Sequence, residues 1–182
     1  MRKSLPDILE DGDNGLTSYA RELFAQLLEE LRALDERLKQ CEQCIKASNR
    51  NNETVGRLDE ILGIGAITAS ATYAAAGDGK DFENGRHFSA WLGLVPGQHS
   101  TGGKATLLGI SKRGNAYLRT LYIHGARAVL RHSANKTDRF SLWAQGVMKR
   151  RGHNKACVAV ANKMARMAWV IMAKGESYRP AV

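Results

Sequence analysis

The run HSTGGKATLLGISKRGN, His99 to Asn115, sets Ser100 and Thr101 ahead of Gly102, Gly103 and Lys104 and closes with Lys112 and Arg113. It holds four glycines and four hydroxyl residues, and no carboxylate. A hydroxyl attacks a phosphodiester best where the backbone is adaptable, cations hold the non-bridging oxygens and no fixed anion stands alongside. Ser100 and Thr101 meet that description, with Lys112, Arg113 and, one turn into the next helix, Arg119 as the cations. The run does not fit the phosphate-cradling pattern GxxxxGK followed by Ser or Thr, and no clear strand precedes it, which argues against a P-loop. His99 reads better as a phosphate contact or loop residue than as a general base. From spacing alone, a basic loop that clamps phosphates without chemistry ranks ahead of catalysis.

A second candidate is LDEILGIGAITASATYAAAGD, Leu58 to Asp78. Two helical pieces joined by Gly63, Ile64 and Gly65 suggest a helix-hairpin-helix. The glycines permit a sharp turn and close approach to a phosphate, Ile64 fills the space between the helices, and the amides from Ala66 offer an anion site. The competing reading is an αα-turn whose glycines only allow close packing; contact with DNA is favoured over it. Metal-dependent phosphoryl transfer needs clustered carboxylates. After Gly85 there are only Asp138 and Glu176, and the scattered His99, His124 and His132 form no ligand set, so no metal site or cofactor is expected in this chain.

These residues need a scaffold, and the sequence predicts a mostly α one. Residues 17–48 read as one long helix starting near Thr17, with Phe24, Leu27, Leu31, Leu34, Leu38, Cys41 and Ile45 forming a narrow seam at spacings of three and four. The pattern fits an amphipathic helix packed on its own domain or a coiled-coil arm through which copies associate, and the narrowness of the seam favours the coiled coil. A compact helical domain over 51–182 follows. It comprises short helices near 54–62, 66–76 and 84–92, a Ser/Gly-rich region over 93–114 with a short hairpin around ATLLGI, and three helices near 115–132, 138–151 and 154–174. The helix-hairpin-helix occupies about 54–78. Asn115, Asp138 and Asn154 suit helix caps, and Gly152 and Gly175 suit helix ends. In the last helix, Val158, Met164, Ala165, Ala168 and Met172 form a core stripe, with Lys163 and Arg166 snorkelling from it.

Composition narrows the partner. The 182 residues carry a net charge of +9, unevenly spread: residues 1–50 hold eight basic and ten acidic side chains, whereas from Gly85 on there are seventeen basic and two acidic. A field this one-sided fits a polyanion, with nucleic acid ahead of an anionic membrane, since no basic helix sets a Trp/Phe/Leu face against its lysines. No run approaches eighteen consecutive apolar residues, and the N-terminus turns acidic where a signal peptide needs an apolar core. A cytoplasmic protein with Cys41, Cys44 and Cys157 as free thiols is expected.

The stretch FSAWLGLVPGQHSTGGKATLLGISKRGNAYLRTLYIHGARAVL resembles the C-terminal transposase domain of the insertion-sequence family numbered one hundred and ten, with its eleven-eleven subgroup and the Piv invertases. ILGIGAITA, FENGRHFSAWLGL and the run from NKTDRF to GESYRP extend the likeness over nearly the whole chain from about Leu5. The resemblance implies a serine recombinase guided by a structured bridge RNA. In that family an N-terminal RuvC-like domain supplies four metal-binding acids, and the C-terminal domain supplies a serine that forms a phosphoserine link to DNA. Carried over, Ser100 is the nucleophile, with Thr101 as the alternative. Gly102, Gly103 and Lys104 shape the loop, Lys112, Arg113 and Arg119 bind phosphate, and Mg2+ belongs to the RuvC-like domain. The coiled coil makes dimer or tetramer contacts and helps clasp the RNA. The chain begins just before that coiled coil without the RuvC-like acids. The expectation is therefore a truncated chain or a remnant frame that binds nucleic acid and oligomerises but does not recombine DNA alone.

Overall fold

The computed structural model describes residues 4–101 and 104–179, with only the backbone described for 100, 101 and 104–107. The chain separates into two compact units, Met1–Cys44 and Ile45–Val182. Within the described residues the fold is mostly α, as the sequence predicts: eight helices and one two-stranded hairpin.

In the first unit a short helix α1 (Leu5–Glu10), which the sequence reading did not anticipate, precedes α2 (Ser18–Arg50), whose last residues belong to the second unit. Pro6 in the first turn presets the backbone for α1, and Thr17 Oγ1 accepts the Ala20 amide at 3.2 Å to open α2. Arg21 ties the two together, donating to the Leu9 carbonyl and to Asn14 Oδ1, each at 2.8 Å. No glycine or proline interrupts the 33 residues of α2. Along it Leu23, Phe24, Leu27, Leu34 and Leu38 are exposed, while Leu31 and Ile45 are half-buried.

The second unit is organised around α8 (His153–Lys174). Its Ala156, Cys157, Val160, Ala161, Met164, Ala165, Ala168, Ile171 and Met172 are buried at helical spacing. Packed on α8 are α3 (Glu53–Asp59), α5 (Gly85–Trp91), α6 (Ala116–Ser133) and α7 (Arg139–Arg151), and α4 (Ala66–Ala76) rests on α3 and α6. Each large apolar side chain removed from water here contributes roughly 1.5–3 kcal/mol before the entropy of ordering it is subtracted. The stripe contains the predicted Met164, Ala165, Ala168 and Met172, with Val158 half-buried. By length and composition α8 is apolar enough to cross a membrane, yet its apolar face is the core of this unit. Lys163 does not simply snorkel: its Nζ lies 5.0 Å from the Phe140 ring centroid and 4.2 Å from that of Trp143.

Local capping explains most boundaries. Asn52, Asn84, Asn115 and Asp138 each accept backbone amides at the start of their helices. The hydroxyl and amide of Ser141 hold the Asp138 carboxyl below its ordinary range. Asn154 does not cap α8: Gly152, at φ 80°, ends α7 and starts α8 at once, so the helix already runs at His153. The buried Thr72 hydroxyl is paired, reaching the Thr68 carbonyl at 2.6 Å and the Tyr122 hydroxyl at 3.2 Å. Burial drives the Tyr122 phenol well above its usual range, so it stays neutral.

Candidate functional site

The acid-free run folds as an antiparallel hairpin of β1 (Pro96–Thr101) and β2 (Lys104–Ile110), longer than the short one read from ATLLGI. The register sets Ser100 opposite Ala105 and Thr101 opposite Lys104, next to the turn. Gly102 and Gly103 lie outside the described residues. The register slips between Pro96 and Gln98, a bulge that lets a strand end bend. Both hydroxyl residues thus lie at the far end of a ribbon, away from the packed helices.

The base of the ribbon is fastened by short-range geometry and three helices. Ser111 donates to the Val95 carbonyl at 2.8 Å, Lys112 to that of Gly93 at 3.3 Å, and Leu94 to that of Ser89 at 3.0 Å. A β-carbon on Gly114, at φ +87°, would collide with the Trp91 carbonyl oxygen, so α5 and the start of α6 close on each other only because this position is glycine. Trp91 is held in turn between Phe82 and Phe88, at centroid distances of 5.2 and 5.8 Å. From α8, Asn162 donates to Ser89 Oγ at 3.1 Å and to the Leu94 carbonyl at 3.4 Å. Spacing did not single out Asn162; the signal was present as an amide beside the buried stripe, where an unpaired polar group is costly.

The basic residues divide into two sorts. Lys112 and Arg113 are exposed at the ribbon's base, and Lys112 is the only non-glycine among the described residues at positive φ, 54°. Such a backbone costs about 1–2 kcal/mol, and the Lys112 amide's hydrogen bond to the Gly93 carbonyl helps to hold it. Arg119 is partly buried, and its Nη1 donates to the Leu92 carbonyl at 3.2 Å and the Arg113 carbonyl at 3.4 Å. It therefore braces the ribbon while keeping its charge there. Between Gly85 and Thr137 the sequence has no carboxylate to oppose these cations. Among the described residues no three His, Cys, Asp or Glu side chains come together as a metal cluster. The ribbon and its base offer hydroxyl and basic groups, not the clustered carboxylates that would hold Mg2+.

The turn at Gly63, Ile64 and Gly65 is placed elsewhere. A β-carbon on Gly63, at φ +88°, would lie 2.7 Å from Val129 Cγ2 and 2.9 Å from both the Gly125 carbonyl oxygen and Met164 Cε. Its role in the fold is close packing against α6. Ile64 is buried and joins the core, while Gly65 is exposed with open space around it at the start of α4. Gly125 lies nine residues beyond Ala116, about 14 Å along α6, so this turn and the ribbon's base meet α6 at separate levels. The predicted site residues thus fall into two groups, 100–119 and 63–65.

Comparison with known proteins places this arrangement. Residues 55–141 match the model of the Transposase IS116/IS110/IS902 family. The chain is 52% identical over 159 residues, 87% of its length and 47% of the relative's, to a Pseudomonas aeruginosa protein named "Probable family 20 transposase". It is 48% identical over 177 residues, 97% of its length and 49% of the relative's, to the transposase for insertion sequence element IS1111A of Coxiella burnetii. With the transposase for insertion sequence element IS1328 of Yersinia enterocolitica it shares 40% over 163 residues, 90% of its length and 49% of the relative's. The chain spans about half the length of these curated relatives. The matched region takes in α3 to the start of α7, and so the whole ribbon and its base: the chain carries the transposase domain of the IS116/IS110/IS902 family.

Proposed function

We propose that this chain is the DNA-binding, serine-bearing part of a site-specific transposase, in which Ser100 attacks a DNA phosphodiester and Thr101 is the alternative nucleophile. The bond formed joins Ser100 Oγ to phosphorus; the bond to the leaving deoxyribose oxygen breaks, and that oxygen takes up the proton the hydroxyl loses. Lys104, Lys112 and Arg113 would hold the non-bridging oxygens, Gly102 and Gly103 would admit the backbone of the DNA, and Arg119 would act by bracing the ribbon. The observation that carries this reading is the ribbon itself. Its far end bears two adjacent hydroxyl residues, its base is locked to α5, α6 and α8, and its cations face no carboxylate in the sequence from Gly85 to Thr137.

The metal-binding acids, with Mg2+, would come from a RuvC-like domain of the whole protein. A structured guide RNA would share the basic surface, and the exposed apolar face of α2 would pair with a second copy of the chain. The site of action would be cytoplasmic. The test is a strand-exchange assay on the whole transposase carrying this domain, with Ser100→Ala and Thr101→Ala compared. Ser100→Ala should abolish exchange while DNA affinity stays within about twofold. Full exchange by both variants overturns the reading.

A non-catalytic helix-hairpin-helix module is the second reading, favoured by one observation: Gly65 stands open at the exposed start of α4. Under it, Gly65→Val lowers DNA affinity and Ser100→Ala changes nothing.

A further inference from the structure

At the opposite end of α5 from the ribbon, a groove of about 1020 Å³ opens between the first turn of α5, the C-terminal half of α8 and residues 175–179. Its volume lies at the upper end of the roughly 300–1,000 Å³ typical of small-ligand pockets. Four cations line it, Arg86, Lys163, Arg166 and Arg179, against one carboxylate, Glu176. Among the described residues none of the four has a carboxylate within 4 Å. Between them the walls are apolar and aromatic, with Met167, Val170 and Tyr178.

The groove is firmly built. The first turn of α5 crosses α8 so closely that a β-carbon on Gly85 would lie 3.1 Å from Arg166 Cα. Trp169 Nε1 donates to the carbonyls of Gly79 and Phe82, each at 3.1 Å, fixing the segment that leads into α5. On the far side Arg57 Nη1 donates to the Gly175 carbonyl, holding the turn from which residues 176–179 run back along the groove. Tyr178 is half-buried against the core; burial and the nearby Asp138 raise its phenol's pKa, so the ring is neutral. Lys163 is crowded: burial and the charges of Arg139 and Arg166 lower its pKa, a strain that a bound anion relieves.

We infer that this groove binds a single strand of nucleic acid, its phosphates on Arg86, Arg166, Arg179 and Lys163 and a base against Tyr178 and Met167. Cations without a carboxylate partner along an apolar, aromatic floor are what an unstacked strand needs: the cations meet the backbone and the floor meets the base faces that a duplex hides. The inference rests on the reading of the chain as acting on nucleic acid, but it uses none of the ribbon's residues.

The test is fluorescence anisotropy of a labelled single-stranded oligonucleotide about twelve nucleotides long, as DNA and as RNA, across a salt series. The whole chain is compared with an Arg86→Gln, Arg166→Gln, Arg179→Gln variant and with a Lys149→Gln, Arg150→Gln, Arg151→Gln control on α7. Circular dichroism checks that each keeps its helices. Each phosphate contact on a single strand contributes about 0.7 to the slope of log affinity against log salt. The groove variant should therefore lose about 2 in slope and bind at least tenfold more weakly, while the α7 control changes far less and a nucleoside monophosphate competes poorly. Three results each overturn the inference: no binding by the unaltered chain, equal losses in groove and control variants, or full competition by the monophosphate. Any of these leaves the Ser100 assay as it stands, because Ser100→Ala alters the ribbon and no residue of the groove.

Discussion

Gly63 and Lys112 show how far a single residue can be read. Both were candidates for touching DNA, and both occupy backbone conformations that L side chains rarely adopt, at φ +88° and 54°. Gly63 uses that freedom to bring its turn against Gly125, Val129 and Met164. Gly63→Ala should therefore cost about 2 kcal/mol or more in urea unfolding, with any loss of DNA affinity following the loss of fold. A variant as stable as the unaltered chain would show that the packing is not what demands glycine. Lys112 is the reverse case, an exposed cation in a conformation that suits glycine. Lys112→Gly should leave the thermal midpoint unchanged or raise it while weakening binding to duplex DNA several-fold; a lower midpoint would mean that its side chain supports the fold. Spacing identified Lys112 as a cation, but a positive φ at a lysine has no sequence signature. Nor could spacing show that Arg119 spends Nη1 on two carbonyls, because those partners come from α5 and from the ribbon's base.

At the scale of elements, the helices were legible because the forces that set them are local. Apolar spacing and caps give α4, α6 and α7 within a residue or two of their observed ends, and Asn115 and Asp138 cap as their types suggest. Where two signals competed, the local one misled: Asn154 is a good cap by type, but Gly152 had already turned the chain into α8. The short α1 carries too few apolar positions to show a period. The ribbon's anchorage was not legible, since Asn162 lies 73 residues from Ser89 in sequence. Asn162→Ala should cost about 1–2 kcal/mol and speed amide exchange at Leu94 and Ser111 more than in α6; uniform exchange would deny it a positioning role. On α2, the proposed pairing with a second copy would cover the exposed apolar seam running to Leu38. Leu34→Asp with Leu38→Asp should shift the chain from dimer to monomer in sedimentation equilibrium, with helix content of the second unit retained. A chain that is monomeric before substitution would remove this role from α2.

For the whole molecule, the charge asymmetry was plain in the sequence, but its distribution in space was not. Of the seventeen basic residues after Gly85, Lys112, Arg113 and Arg119 stand at the ribbon's base, Arg139, Lys149, Arg150 and Arg151 on α7, and Arg86, Lys163, Arg166 and Arg179 in the groove beside α8, and only the fold separates these surfaces. The proposed function would give the separation a purpose, with a reacting strand at the ribbon and a held strand at the groove. The measurement that bears most directly on this is the trapping of a covalent protein–DNA species by the whole transposase, followed by mass spectrometry of the linked peptide. The expected result is a phosphate ester on Ser100, absent in Ser100→Ala. A link to a residue outside the ribbon, or strand exchange with no covalent species, would contradict it.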